Sequence, residues 1–391
     1  MVTDLLRMRL CSELPQVQSN PRQMQSRGRP LHMVSSRPCG ILTAMKRALL
    51  VAAALTTSLA AQQPPPAPVG VPQAQPPLPP ARIVVLDPAL TALVPADAAI
   101  ERWDYGYGFV EGPVWTKDGA LLFSDIPGNA IIRTTANRVT TIFRKPSGYS
   151  GNDRRPGQHV GSNGLTVDRQ GRVLVAEHGN RRVSRIDGSG RLTVLADKYD
   201  GKRLNSPNDV EVKSDGTIYF TDPPYGLPLQ DKDPGKELPF SGVYRLKESS
   251  SGNTVELLTS DLARPNGIAF SPDERYLILA NSENDRRLWM RYELKADGTL
   301  NPGTLFLDVT AEKMSGIPDG LKIDLQGNVF ATGPGGVWVI SPQGKPLGRI
   351  ELPELPANVA FGDDGRTLYM TARTSVYRVR LNVAGPRPCC R

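Results

Sequence analysis

Cysteine is missing from every part of the chain that reads as a fold. Of four Cys in 391 residues, Cys11 and Cys39 lie in an Arg-rich leader, and Cys389 and Cys390 sit side by side at the C-terminus. A fold without internal cysteine needs no disulfide, and thiol chemistry drops out as a catalytic principle. Apolar runs long enough for a bilayer are missing too. The stretch from Ala48 to Leu59 falls short of the roughly 20 residues a membrane helix requires, so no membrane span is expected. Basic charge is scarce where it would count. The formal total is +8, but residues 1–47 hold eight Lys or Arg against two acids, which leaves +2 for the remainder. That is no electrostatic footprint for nucleic acid. What abounds is Gly (37) and Pro (36), a balance that favours many short strands and turns over long helices.

The front end reads as address, not fold. Lys46 and Arg47 precede the apolar run, and Ser58-Leu59-Ala60 closes it with a small-x-small site. This is the order of a secretory signal, expected over residues 45–60. Such a signal begins at its initiator methionine, so translation is expected from Met45, with residues 1–44 a misassigned extension. The alternative is a cytoplasmic extension followed by a chance apolar patch. Residues 61–82 are Pro-rich and read as an extended spacer. The folded domain is expected over 83–383, with 384–391 a short tail. The destination is periplasmic or secreted.

One pattern recurs six times within the domain. Each copy opens on a polar residue and continues with an apolar strand, a turn rich in Asp, Ser or Gln with Gly, and a second apolar strand. The copies run EGPVWTKDGALLFSD from Glu111, NGLTVDRQGRVLVAE from Asn163, NDVEVKSDGTIYFTD from Asn208, NGIAFSPDERYLILAN from Asn266, DGLKIDLQGNVFATG from Asp319 and NVAFGDDGRTLYMTA from Asn358. Each is a β-hairpin whose turn Gly supplies positive φ. Further strands such as GVYRLK from Gly242 and SVYRVRL from Ser375 follow several copies. A lone hairpin cannot bury its apolar face, so the copies must stack. The expected fold is all-β, a six-bladed β-propeller with four-stranded blades around a central channel.

The opening polar residue precedes the innermost strand of each blade. Glu111, Asn163, Asn208, Asn266, Asp319 and Asn358 are therefore expected to converge at one mouth of the channel. Two carboxylates buried together are costly unless protonated or bound to a cation. An all-oxygen ring with neutral amides suits a hard divalent ion, and calcium tolerates variable geometry better than magnesium. The lack of His and Cys from the ring disfavours zinc. Calcium is the expected cofactor, with Mg2+, Mn2+ or Zn2+ the other divalent candidates.

Four stretches resemble the SMP-30/gluconolactonase/regucalcin family of six-bladed propeller hydrolases: VEGPVW (Val110–Trp115), SPNDV (Ser206–Val210), RPNGIAFS (Arg264–Ser271) and PDGLKID (Pro318–Asp324). That resemblance implies that Glu111, Asn208, Asn266 and Asp319 hold the metal. It implies a lactonase or related ester hydrolase acting on a small-molecule lactone or ester such as gluconolactone, with Asp319 as the base that activates water. A carboxylate on calcium is a weak base, so the two roles of Asp319 pull against each other. Asn163 and Asn358 are left for substrate contacts or for hydrogen bonds behind the ligands. His178 resembles a residue of the lactonase branch and is either an acid–base or hydroxyl-binding group or a loop His bonded to a neighbouring blade. Asp125 with Asn129, and Asp222 with Tyr225, either line the pocket or form turns. Asp222 is taken as a substrate contact. His159 falls in a Gly-rich loop on the expected substrate side, and Arg181 and Arg182 follow His178. Asp209 beside Asn208 either contacts a water or bonds backbone, and Trp115 and Phe270 read as core between blades. Promiscuous ester or organophosphate hydrolysis, or a non-catalytic exported propeller plugged by calcium, are the competing functions.

Overall fold

The computed structural model describes residues 79–153 and 159–386. The extension, the signal segment, the spacer as far as residue 78 and all four cysteines lie outside the described residues. Among the described residues six antiparallel sheets of four or five strands carry the domain, one for each copy of the repeat, with a two-stranded ribbon of Lys198–Tyr199 and Lys202–Arg203 besides. Blade 1 is built from Val110–Trp115, Ala120–Asp125, Ala130–Thr135 and Thr140–Arg144, paired in that order from the inside out. Blades 2, 3 and 4 repeat the scheme from Ser162–Val167, Val210–Val212 and Pro265–Phe270.

The last two blades recruit the N-terminal part of the domain. Blade 6 takes Pro356–Gly362, Thr367–Ala372 and Ser375–Arg380 from the C-terminal end, and its outermost strand is Ile100–Tyr105. The chain thus closes on itself, and the ring is held by strand pairing between its two ends. Blade 5, starting at Leu321–Ile323, is the exception to four strands. Arg82–Val85 adds a fifth along Pro346–Glu351.

Burial depends on position within the blade. The inner strands of blades 1, 2 and 4 are buried along their whole length, whereas Thr140–Arg144 at the rim of blade 1 is mostly exposed. Alternation survives in the sequence because successive side chains pack on opposite sides of the blade, as Val114 does toward blade 2 and Trp115 toward blade 6. Trp115 stacks on Tyr369 of blade 6 with ring centres 5.3 Å apart, and Phe270 meets Tyr219 of blade 3 edge-on at 4.9 Å. On the channel side, Lys322 of blade 5 pairs with Glu211 of blade 3 at 3.5 Å. These blades are not neighbours, so their inner strands face each other across the axis.

Candidate active site

At the point where each inner strand begins, the ladder is irregular. Asn163 and Asn266 sit inside register shifts, Glu111 opens one and Asn358 closes another. Asn208 and Asp319 precede their short strands and bond instead through backbone to Thr221 and Thr332. A bulge breaks the alternation and re-aims one side chain toward the axis.

Close packing of these bulges depends on the residue immediately after the ring position, which in four blades is glycine. Gly112, Gly164, Gly267 and Gly320 each abut the ring residue of the next blade. A Cβ on Gly112 would lie 2.1 Å from the carbonyl oxygen of Asn163, and one on Gly320 1.9 Å from Cγ of Asn358. Hydroxyls seal the same joints. Ser124 donates to the Asn163 carbonyl at 2.7 Å, Thr221 to that of Asn266 at 2.8 Å and Thr332 to that of Ala357 at 2.8 Å. Blade 3 has no glycine there. Its Asp209 is buried and accepts from its neighbour Val210 N at 3.0 Å.

Five of the six ring residues line one cavity of about 570 Å3: Glu111, Asn163, Asn208, Asn266 and Asp319. The sixth, Asn358, does not line it. Its Nδ2 donates to Glu111 Oε2 at 2.9 Å and its Oδ1 accepts from Val359 N at 2.8 Å, so both ends of the amide are spent. Of the two roles left open by the sequence, the geometry places it behind Glu111 and not on the substrate.

The electrostatics of the ring are those of a site for a cation. Burial pushes the Asp319 carboxyl well above the ordinary range, and the charges of Glu111 and Asp209 push it further. Burial likewise raises Glu111, followed by the charge of Asp209, against the opposing bonds from Gly112 N and Asn358. These three carboxylates come from blades 1, 3 and 5 and repel one another across the axis. Among the described residues no three His, Cys, Asp or Glu side chains form a metal-binding cluster by themselves, so a cation here must draw on amide oxygens. Such amides are present. Asn208 has no side-chain hydrogen bond to any described residue, and Asn266 gives its Nδ2 to Ser282 at 2.9 Å, which leaves its oxygen for another partner. The donor set fits a hard divalent ion.

The remaining wall is a mixture. Phe109, Ile126, Leu227 and Ile317 give it an apolar side. His178 lines it too, with Nε2 2.9 Å from Nδ2 of Asn163, and burial pulls its imidazole down to about 4, so it is neutral. His159, exposed at the cavity edge, faces Phe109 with ring centres 5.5 Å apart, and partial desolvation lowers its basicity as well. Asp222 is a correction. It does not line the cavity: it is fully buried, and its carboxylate accepts the backbone N–H groups of Asn205 and Ser206, each at 2.7 Å. Asp125 and Asn129 are also turn residues, the first bonded to Gly108 N at 3.1 Å, the second to Gly148 N at 2.9 Å. Arg181 points away, to the carbonyls of Leu204 and Gly235, and Arg182 pairs with Glu177.

A family model described as the SMP-30/Gluconolactonase/LRE-like region matches residues 109–374. The chain belongs to that family. The gluconolactonase of Zymomonas mobilis is 39% identical to it over 318 residues, 78% of this chain and 87% of that protein. The structure of a gluconolactonase from Xanthomonas campestris superposes with a TM-score of 0.67 at 29% identity, covering 78% of this chain and 99% of that one. Regucalcin, a calcium-binding protein from Agrobacterium tumefaciens, shares the fold at 21% identity with a TM-score of 0.57, covering 73% and 94% of the two chains. Within this SMP-30/gluconolactonase-family propeller, two of the cavity residues that the repeat did not announce share a simple offset. Phe109 and Ile317 each stand two positions before a ring residue, Glu111 and Asp319, and so flank the same mouth. Leu227 carries no such mark; it comes from the loop after Asp222.

Proposed function

We propose that this chain is an exported, divalent-metal-dependent lactonase, with calcium the fitting ion, that opens a sugar lactone such as gluconolactone with water. The observation that carries this is the ring itself. Two mutually repelling buried carboxylates and two amides with available oxygens face one cavity whose volume is right for a small ligand. The likeness to gluconolactonases from Zymomonas mobilis and Xanthomonas campestris supports lactones as the substrate class.

Glu111, Asn208, Asn266 and Asp319 would hold the cation, and when bound it supplies Lewis acidity toward the lactone carbonyl. The protein's own groups do the rest. Asn358 fixes Glu111, and Ser282 fixes Asn266. Asn163, steadied by neutral His178, offers an amide to ring hydroxyls. The apolar side formed by Phe109, Ile126 and Leu227 covers the carbon face of the sugar and excludes bulk water. Asp319 accepts the proton of the attacking water.

Gluconolactone hydrolysis monitored by proton release, with EDTA and then with calcium restored, tests the whole. Full activity in EDTA would dismiss the metal, and no activity on any aldonolactone would leave a binding propeller. An Asp319→Asn variant that still hydrolyses lactone with calcium bound would remove Asp319 as base. Export is supported by the signal-like order of residues 45–60. N-terminal sequencing of the natural protein checks it: a start beyond Ala60 agrees, and a retained Met1 does not.

A further inference from the structure

The loop after the second strand of blade 3 brings one hydroxyl into the cavity that the ring does not account for. Tyr225 lines the cavity together with Asn266 and Asp319, and its phenol feels the Ser282 hydroxyl and the Asp319 charge. Its position is over-determined. Ser206 donates to the carbonyl of Pro223 at 2.6 Å and accepts from Gly226 N at 2.8 Å, gripping the loop on both sides of Tyr225. Ser206 is itself held by Asp222 and stands two residues before Asn208, so loop and ring are locked to the same backbone. From the other side, the Arg264 guanidinium lies 5.4 Å from the centre of the phenol ring and is neutralised by Asp231 at 2.5 Å. Ser282 spends its proton on the carbonyl of Pro318 and accepts from Asn266. The proton donor in this corner is therefore the phenol. A tyrosine phenol, ordinarily ionising only near pH 10, keeps its proton at neutral pH.

Opening a lactone develops negative charge at two oxygens. Water's oxygen joins the acyl carbon, and the ring oxygen departs with the bonding pair. One water proton ends on that oxygen as an alcohol, and the other is released as the acid ionises. In the function proposed above the ring residues serve the carbonyl oxygen through the cation they would hold, and the departing oxygen still needs a donor. We propose that Tyr225 is a catalytic residue whose phenol hydroxyl donates a hydrogen bond to the ring oxygen of the lactone as the acyl–oxygen bond breaks. This rests on the lactonase function proposed above.

The test compares wild type with Tyr225→Phe, which keeps the ring and removes the hydroxyl. Gluconolactone, whose leaving oxygen is an alkoxide, is set against dihydrocoumarin, whose leaving oxygen is phenolic and needs little help. The expected result is a kcat on gluconolactone lower by roughly 10- to 100-fold, a change within about two-fold on dihydrocoumarin, and calcium affinity by calorimetry unaltered. Equal losses on both substrates, a weakened calcium site, or wild-type kcat on gluconolactone would each overturn the assignment. If wild type does not turn over dihydrocoumarin, the split on gluconolactone decides: a loss in kcat supports the assignment, and a loss confined to KM overturns it. A wild-type enzyme inactive on every lactone fails the function itself, an outcome visible before the variant is made.

Discussion

Asn358 Nδ2 donates to Oε2 of Glu111 across 2.9 Å, joining blade 6 to blade 1 at the ring. This bond sets the aim of a carboxylate that burial and Asp209 both disfavour. Asn358→Ala leaves Glu111, among the described residues, with the Gly112 amide as its hydrogen-bond donor and the Lys322 charge as its other support. Calcium affinity should fall about 10-fold, with a stability loss of roughly 1–3 kcal/mol from the partner left unpaired. Calorimetric titration and thermal unfolding measure the two separately. An unchanged calcium affinity would mean that Glu111 needs no tether.

Burial raises the proton affinity of both Glu111 and Asp319, and the charge of Asp209 raises that of Glu111 while the charges of Glu111 and Asp209 raise that of Asp319. A carboxyl raised above its unfolded value favours folding while protonated, so metal-free protein should lose stability as pH rises from the ordinary carboxylate range toward neutrality. Calcium binds the deprotonated pair and should reverse that loss. Glu111→Gln removes one of the two charges. The metal-free variant should therefore melt higher than metal-free wild type, while the rise in Tm on adding calcium shrinks. Thermal scans in EDTA and in calcium check both signs. A metal-free variant less stable than wild type would show that repulsion is not what the cation relieves.

Much of this was legible in the residues. Six hairpins of matching pattern give the blade number, and the residue opening each gives the ring, because a bulge at the start of an inner strand leaves a side chain aimed along the channel. What escaped lies in long-range closure and in loops. Ile100–Tyr105 pairs with Ser375–Arg380, 275 residues away between Ile100 and Ser375, and nothing local in IERWDY names its partner. Asp222 looked like a pocket residue from its place after a strand, but a buried carboxylate can be satisfied by two backbone amides as well as by a ligand, and sequence does not distinguish them. Asn358 shares the ring pattern with Asn266, and only the three-dimensional positions of Glu111 and Ser282 separate their roles.

The glycine after a ring residue is a packing device, and it can be tested against a glycine that is not. Gly320→Ala places a Cβ 1.9 Å from Cγ of Asn358, so blades 5 and 6 must separate or Asn358 must leave Glu111. A cost of about 3 kcal/mol is expected, from overpacking at a buried joint. Gly188 has no atom within 4 Å of an added Cβ and ordinary backbone, and Gly188→Ala should stay within about 0.5 kcal/mol of wild type. Denaturant unfolding of both variants gives the comparison. Equal effects would mean that the joint has slack.

His178 sets the acid limit of the fold. Burial lowers its imidazole to about 4 from an ordinary 6.5, and its Nε2 faces Nδ2 of Asn163 at 2.9 Å. Above pH 6.5 the residue is neutral both folded and unfolded and adds no pH dependence. Between 6.5 and 4 the unfolded chain takes the proton and the folded one does not, so stability falls as pH falls, reaching about 3 kcal/mol once both forms are charged. His178→Gln keeps an amide near Nε2 and carries no titrating proton. With calcium saturating, so that the ring carboxylates stay deprotonated in the folded state, the difference in unfolding free energy between wild type and variant should narrow by that amount from pH 7 to pH 4. A difference that does not change with pH would mean that the imidazole is charged inside the fold, and Asn163 would then have to turn its oxygen to it.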